Sequence, residues 1–217
     1  MSGFIQLGPQ QLAIATLLIV AAGVVSLVLR LGVERRLAVA AVRTVVQLGL
    51  LGLILERVFA VRNPIVVVGL LLLMTVFAAR EAVGRSSRRY KGILLDAWLT
   101  MAASCFLVGG IVTQAVVGVV PWYDPQYVIP LLGMILGNSL NGLSLCIDSI
   151  LESFSERARE VEMELSLGAS KWEAAREPIA DAIRRGMIPT INTMMVVGVV
   201  SLPGMMTGQI LEGADPV

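Results

Sequence analysis

Apolar runs long enough to cross a bilayer recur along this chain, and they constrain its fold more than any other feature. A helix needs about 20 mostly apolar residues to span the roughly 30 Å hydrocarbon core. Six runs qualify, at 11–31, 37–56, 64–83, 92–120, 127–151 and 187–206. Inside a membrane every backbone polar group must be paired internally, so such runs fold as helices. The expected fold is all-α, a polytopic transmembrane helical bundle forming a single domain over residues 1–217. Composition agrees: 15% of residues are charged, against about 25% in a soluble domain. The run 92–120 exceeds what a bilayer needs, so it should tilt, kink near Gly109-Gly110 or leave the membrane in part.

Positive charge orients the bundle. The connections near 30–36, 85–91 and 152–186, with their helix ends, hold 15 of the 17 Lys and Arg residues. The opposite side holds Arg57 and Arg62. The positive-inside rule then places the charged connections in the cytoplasm and the N-terminus outside. Trp122 and Tyr123 fit an outer interfacial belt, and Pro121 and Pro125 break the helices beside it. No basic region precedes the first apolar run, so it does not read as a cleaved signal peptide. The sequence stops just past the run 187–206, as if cut before a seventh span.

The connection 152–186 carries too many charges to span. Leu151, Phe154, Ala158 and Val161 fall on one face of a solvated helix that continues the fifth run. Gly168-Ala169 reads as a turn. Ser170 caps the next helix, with Glu173 three residues on to complete a capping box. Pro178 reads as a break. The expectation is two short helices on the cytoplasmic face, the second over 171–176. Such an elbow can insert into a groove on a partner domain, its charged rim setting the register.

Polar groups in hydrocarbon are costly, so each is a candidate for function. Gln47 falls near the midplane of the second run. Asn138 and Asn141 lie midway along the fifth, three apart and on one face, and Ser144, Leu145 and Asp148 continue that stripe inward. These residues read either as a translocation path or as interhelical glue. Gly133, Gly137 and Gly142 permit close helix approach. Arg43 and Asp96 could pair at depth, while Glu81 and Arg85 read as a local surface pair. Pro203-Gly204 should break the last run, leaving 205–209 irregular with Thr207 and Gln209 as polar members of an outer gate. Met194, Met195, Met205 and Met206 are weak metal candidates: thioethers suit soft ions, and Met also serves as flexible filler. Asp96 is a weak candidate of the oxygen-donor kind. The chain has no His, and Cys105 and Cys146 read as small buried hydrophobes. The net charge of +1 gives no argument for nucleic acid.

Three segments carry a resemblance. Glu-x-Glu-Leu-Ser-Leu-Gly-Ala-Ser at 162–170, Ile-Leu-Gly-Asn-Ser-Leu-Asn at 135–141 and Ser-Leu-Pro-Gly-Met-Met-Thr-Gly-Gln-Ile-Leu at 201–211 resemble the FetB-type iron-export permease family. That family includes plant aluminium-tolerance relatives. Glu162, Glu164 and Gly168 also echo the Glu-Ala-Ala…Gly coupling loop of ABC permeases, with Met163 and Glu164 in place of the alanines. The resemblance implies a homodimeric or pseudo-dimeric permease in a bacterial inner membrane that exports iron, another metal or a metal-stress solute. Glu162, Glu164, Leu167, Gly168, Ala169, Ser170, Lys171 and Trp172 would then couple to a separate cytoplasmic ATPase. No Gly-x4-Gly-Lys-Ser/Thr loop occurs, so ATP and Mg would belong to that partner. The residues themselves leave open an ATP-independent channel or carrier, and a membrane scaffold that only binds an ATPase.

Overall fold

The computed structural model describes residues 9–61, 63–86, 88–201 and 203–213, and over these the chain is helical. The helices are α1 (Pro9–Val28), α2 (Glu34–Val61), α3 (Pro64–Arg85), α4 (Ile93–Gly110), α5 (Pro125–Glu156), α6 (Ala158–Ser166), α7 (Lys171–Val196) and α8 (Gly204–Glu212). Four stretches are long and apolar enough to cross a membrane: Glu34–Phe59, Pro64–Arg85, Ile93–Val116 and Pro125–Glu156. Thr16–Val28 is a shorter apolar helix. The residues fall into two compact units, one holding those up to Ala60 and from Gly204 on, the other Val61–Pro203.

In the first unit, α1 and α2 are joined by a tight turn with Arg30 and Gly32 at positive φ. The buried Ser26 hydroxyl donates to Glu34 Oε2 across it (3.0 Å). Glu34 stands in the first turn of α2, where a carboxylate suits the partial positive charge of the helix N-terminus.

The second unit is built on α3, α4 and α5. Val67, Leu71, Thr75, Ala79 and Val83 bury one stripe of α3. Ile93, Ala97, Met101, Cys105 and Gly109 bury one stripe of α4. Both recur every four residues, the spacing of a single helix face. Thr75 is fully buried and accepts a hydrogen bond from Trp98 Nε1 (3.1 Å), a polar tie between apolar helices. Asn63 caps α3 and Asp124 caps α5, each followed by Pro at the first helical turn, where its missing N–H costs nothing. The long fourth run resolves as α4 followed by a π-helical turn, Ile111–Val116, so the widening begins just past Gly109-Gly110.

Two expectations about the last third are corrected. Pro178 does not break the helix: α7 runs unbroken from Lys171 to Val196 with Pro178 and Pro189 inside it. Pro178 is buried in line with Ala174, Ala182 and Gly186, a four-residue repeat on one face of α7. Packing on that face compensates the lost backbone bond. The second correction concerns 187–206, which is not one helix. α7 stops at Val196, the chain turns through Gly198 at φ +85, and α8 starts at Gly204. The stretch 205–209 is therefore helical within α8, and the irregular segment lies earlier, beginning at 197–201. α7 has a charged first half and an apolar remainder from Gly186 to Val196, about 16 Å long at 1.5 Å per residue. That length is about half of what a bilayer crossing needs.

Candidate functional site

The elbow between α6 and α7 is made by local hydrogen bonds. Gly168 takes φ +96, a left-handed conformation that only Gly adopts without penalty. The Gly168 N–H donates to Leu165 O (3.1 Å) and the Ala169 N–H to Glu164 O (3.0 Å). This pair of bonds is a Schellman motif, which satisfies the last carbonyls of α6. One residue later the capping box closes: Glu173 N–H donates to Ser170 Oγ (3.3 Å) and Ser170 N–H to Glu173 Oε2 (2.7 Å). Interaction with the Ser170 side chain, and then the bond from its backbone N–H, hold the Glu173 carboxyl below its ordinary range. The expected turn at Gly168-Ala169 and the capping box are thus present. The helix after them continues to Val196 where the expected one stopped at 176.

The elbow is tied back to its support. α5 ends at Glu156 and α6 begins at Ala158, with Arg157 as the joint. Arg157 pairs across to α7 with Glu177 (3.5 Å) and Asp181 (3.8 Å), and Asp181 also accepts from Arg184 (2.6 Å). Of the predicted face, Leu151, Phe154 and Val161 are half-buried, while Ala158 is exposed. Outward, the elbow presents large apolar groups to solvent: Leu167 is 80% exposed and Trp172 66%. Met163 and Leu165 are exposed beside them, and Glu162, Glu164 and Lys171 form a charged rim.

Above the elbow α7 crosses α5 at a pair of glycines. A Cβ on Gly186 would lie 2.9 Å from the Gly142 carbonyl oxygen and 3.1 Å from Cys146 Cβ. The backbones therefore touch, as small residues allow in membrane helices. Of the three glycines expected to permit close approach, Gly142 alone does so at backbone level. Gly137 has nothing within 4 Å, and Gly133 would meet only Met74 Cε at 3.6 Å.

Beyond this crossing, α5 and α7 open into a cleft of about 140 Å³ lined by Asn138, Asn141, Pro189, Thr190, Thr193 and Met194. The structure thus brings together Asn138, Asn141 and Met194 from the sequence-derived set. Arg85, from the end of α3, donates to Asn141 Oδ1 (3.0 Å). Arg85, expected in a local surface pair with Glu81, thus also reaches across to α5. Ser144 is buried, and Asp148 accepts from Ser86 (3.3 Å). Asp96 stands in the first turn of α4 and accepts from the Tyr90 hydroxyl (2.9 Å). Burial first, then this bond, raises the Tyr90 pKa.

The other candidates lie elsewhere. Gln47 is exposed on α2, Thr207 is exposed on α8 and Met206 is half-buried there. Met195 is exposed on α7 outside the cleft lining. The side chains of Met205 and Gln209 lie outside the described residues. Both cysteines are free, Cys105 buried and Cys146 half-buried. Among the described residues no group of three His, Cys, Asp or Glu side chains could hold a metal ion.

Sequence reasoning missed Thr190 and Thr193 as members of this cleft and Arg85 as the partner of Asn141. Thr190 and Thr193 stand three apart just after Pro189, a spacing that places both on one helix face. The pairing of α5 with α7 that makes them cleft residues is tertiary.

Membrane-length apolar helices, a broken helix and a braced charged elbow define a polytopic helical membrane protein. The chain belongs to the family described as Uncharacterised protein family (UPF0014), whose model matches residues 9–217. It is 42% identical to a UPF0014 membrane protein of Synechocystis sp. over 81% of this chain and 68% of that one. It is 32% identical to the protein named probable iron export permease protein FetB of Escherichia coli, over 96% of this chain and 79% of the relative. To the protein ALUMINUM SENSITIVE 3 of Arabidopsis thaliana it is 26% identical, over 94% and 74%. No solved structure matches the chain. The FetB-type resemblance, plant relatives included, is thereby confirmed.

Proposed function

We propose that the chain is the permease subunit of an ATP-driven transporter that exports iron or another metal-stress solute. The observation that carries this reading is the elbow: a turn locked by its own backbone, with Leu167 and Trp172 open to solvent. A separate cytoplasmic ABC ATPase, supplying ATP and Mg, would grip it. The name of the Escherichia coli relative supports export of iron as the cargo class. In this reading the chain is a homodimer in a bacterial inner membrane, with six spans, its N-terminus outside and its elbow inside. The α7 remainder would form part of the sixth crossing, which is broken at Gly198. Broken helices of this kind line cavities in transporters.

Mechanically, α7 is the lever. Closure of two ATPase subunits moves the elbow, and Arg157 and the Gly142–Gly186 contact carry that movement into the α5–α7 pair. The Asn138–Asn141 cleft lies on the far side of that contact and changes its access.

The test is coupling. Purified permease and its ATPase in proteoliposomes should lose solute-stimulated ATP hydrolysis and iron efflux with Gly168→Val, while Gly168→Asn, which tolerates positive φ, retains both. Full efflux with Gly168→Val would refute the reading. Flux from the permease alone, without ATP, would establish an ATP-independent carrier in its place.

A further inference from the structure

The α5–α7 cleft is rich in hydrogen-bond donors and contains no acid. An Arg side chain can only donate. With Arg85 bound to Asn141 Oδ1, the Asn141 amide has its two N–H donors left for the cleft. Asn138 and Thr190 can each donate as well. Thr193 spends its hydroxyl proton on Pro189 O (2.9 Å) and offers only lone pairs. No Asp or Glu lines the cleft: Glu81 and Asp148, on α3 and α5, are both outside its lining. A hard cation needs several oxygen ligands, carboxylates above all, and the one sulfur present, Met194, suits soft metals.

We infer that this cleft is a site for a small carboxylate-bearing anion, and that a hard metal would enter it only as a carboxylate complex. Its volume of about 140 Å³ admits a solute well below the size that fills an ordinary drug-sized pocket. The carboxylate oxygens would accept from the Asn141 amide and from Asn138 and Thr190, with the Arg85 guanidinium outside the lining, holding Asn141 by its Oδ1 and setting a positive charge behind it. As the identity of the cargo this rests on the permease reading; as a binding site it does not.

The test is calorimetry on the full chain in phosphatidylcholine nanodiscs, titrated with citrate, with ferrous ion and with the neutral polyol erythritol. Citrate should bind, erythritol should not, and added salt should weaken citrate binding because screening acts on charge. Arg85→Gln keeps a donor for Asn141 and removes the charge, so it should weaken citrate about tenfold or more. Thr190→Val, on an exposed position, should weaken it by a smaller factor with the fold unchanged. An anionic headgroup offers the same oxyanion chemistry, so nanodiscs containing phosphatidylglycerol form the second arm. Citrate binding there should match the first arm. Silence towards citrate in phosphatidylcholine, with phosphatidylglycerol retained through purification in an Arg85-dependent way, would make this a lipid site and overturn the inference. Ferrous binding that survives Arg85→Gln, or citrate binding indifferent to it, would overturn it equally. No nucleotide or ATPase enters the assay, so its failure leaves the elbow reading standing.

Discussion

At the elbow, Gly168 has φ +96 and nothing within 4 Å of where a Cβ would sit. At the α5–α7 crossing, Gly142 and Gly186 lie inside regular helices, and a Cβ on Gly186 would meet backbone at 2.9 Å. One glycine is needed for its backbone and the other two for their lack of volume. The elbow is consequently a locally specified turn that holds its shape while its surface stays open. The crossing is a long-range contact whose shape depends on two helices meeting. A handle and a fulcrum have these respective requirements.

Filling the crossing should have the largest effect. Gly186→Leu forces the helices apart, costing roughly 3 kcal/mol as an overpacked contact, and should lower the thermal unfolding midpoint in detergent sharply. Gly142→Ala has a gap of 3.2 Å to the Gly186 carbonyl and should cost well under half as much. If Gly186→Leu unfolds like the wild type, the crossing is misplaced.

At the elbow the expected losses are smaller. Gly168→Val places a branched residue in the left-handed region, at roughly 1–2 kcal/mol, with space to accommodate the side chain. Folding should survive while coupling fails, which separates the two glycine roles. Ser170→Ala removes a cap and should cost about 1 kcal/mol, read as faster amide exchange over 171–174. Arg157→Gln should cost at most about 1 kcal/mol, because both its ion pairs are partly solvated.

The pH dependence is the finest test. The folded Glu173 carboxyl sits below its ordinary value of 4.5. A depressed acid stabilises the fold above its unfolded pKa and loses that contribution as pH falls through the folded one. Amide protection at Ser170 should therefore hold at neutral pH and fade below 4.5, and Glu173→Gln should remove that step.

How legible each region was in the sequence follows from the same contrast. The Schellman turn and capping box use residues within six positions, so Gly168, Ser170 and Glu173 announce them directly. The helix starts at Asn63-Pro64 and Asp124-Pro125 are legible for the same reason. The crossing joins residues 142 and 186, and nothing local selects Gly142 over Gly133 or Gly137. Pro178 misleads because helix propensity penalises it, yet it sits buried on the packed face of α7. The break near residue 198 was placed too late because Pro203-Gly204 is the stronger local signal, yet the helix already ends at Val196. Arg85 reads as a surface cation until α3 and α5 are set side by side.

The most direct measurement places a photoreactive side chain at position 169 in cells that also make the proposed ABC ATPase partner. Irradiation should yield one adduct containing that ATPase, lost when the ATPase groove is altered and changed in yield by ATP. An adduct-free lane at position 169, with position 172 equally silent and the ATPase present, would contradict the idea that the elbow is gripped from below.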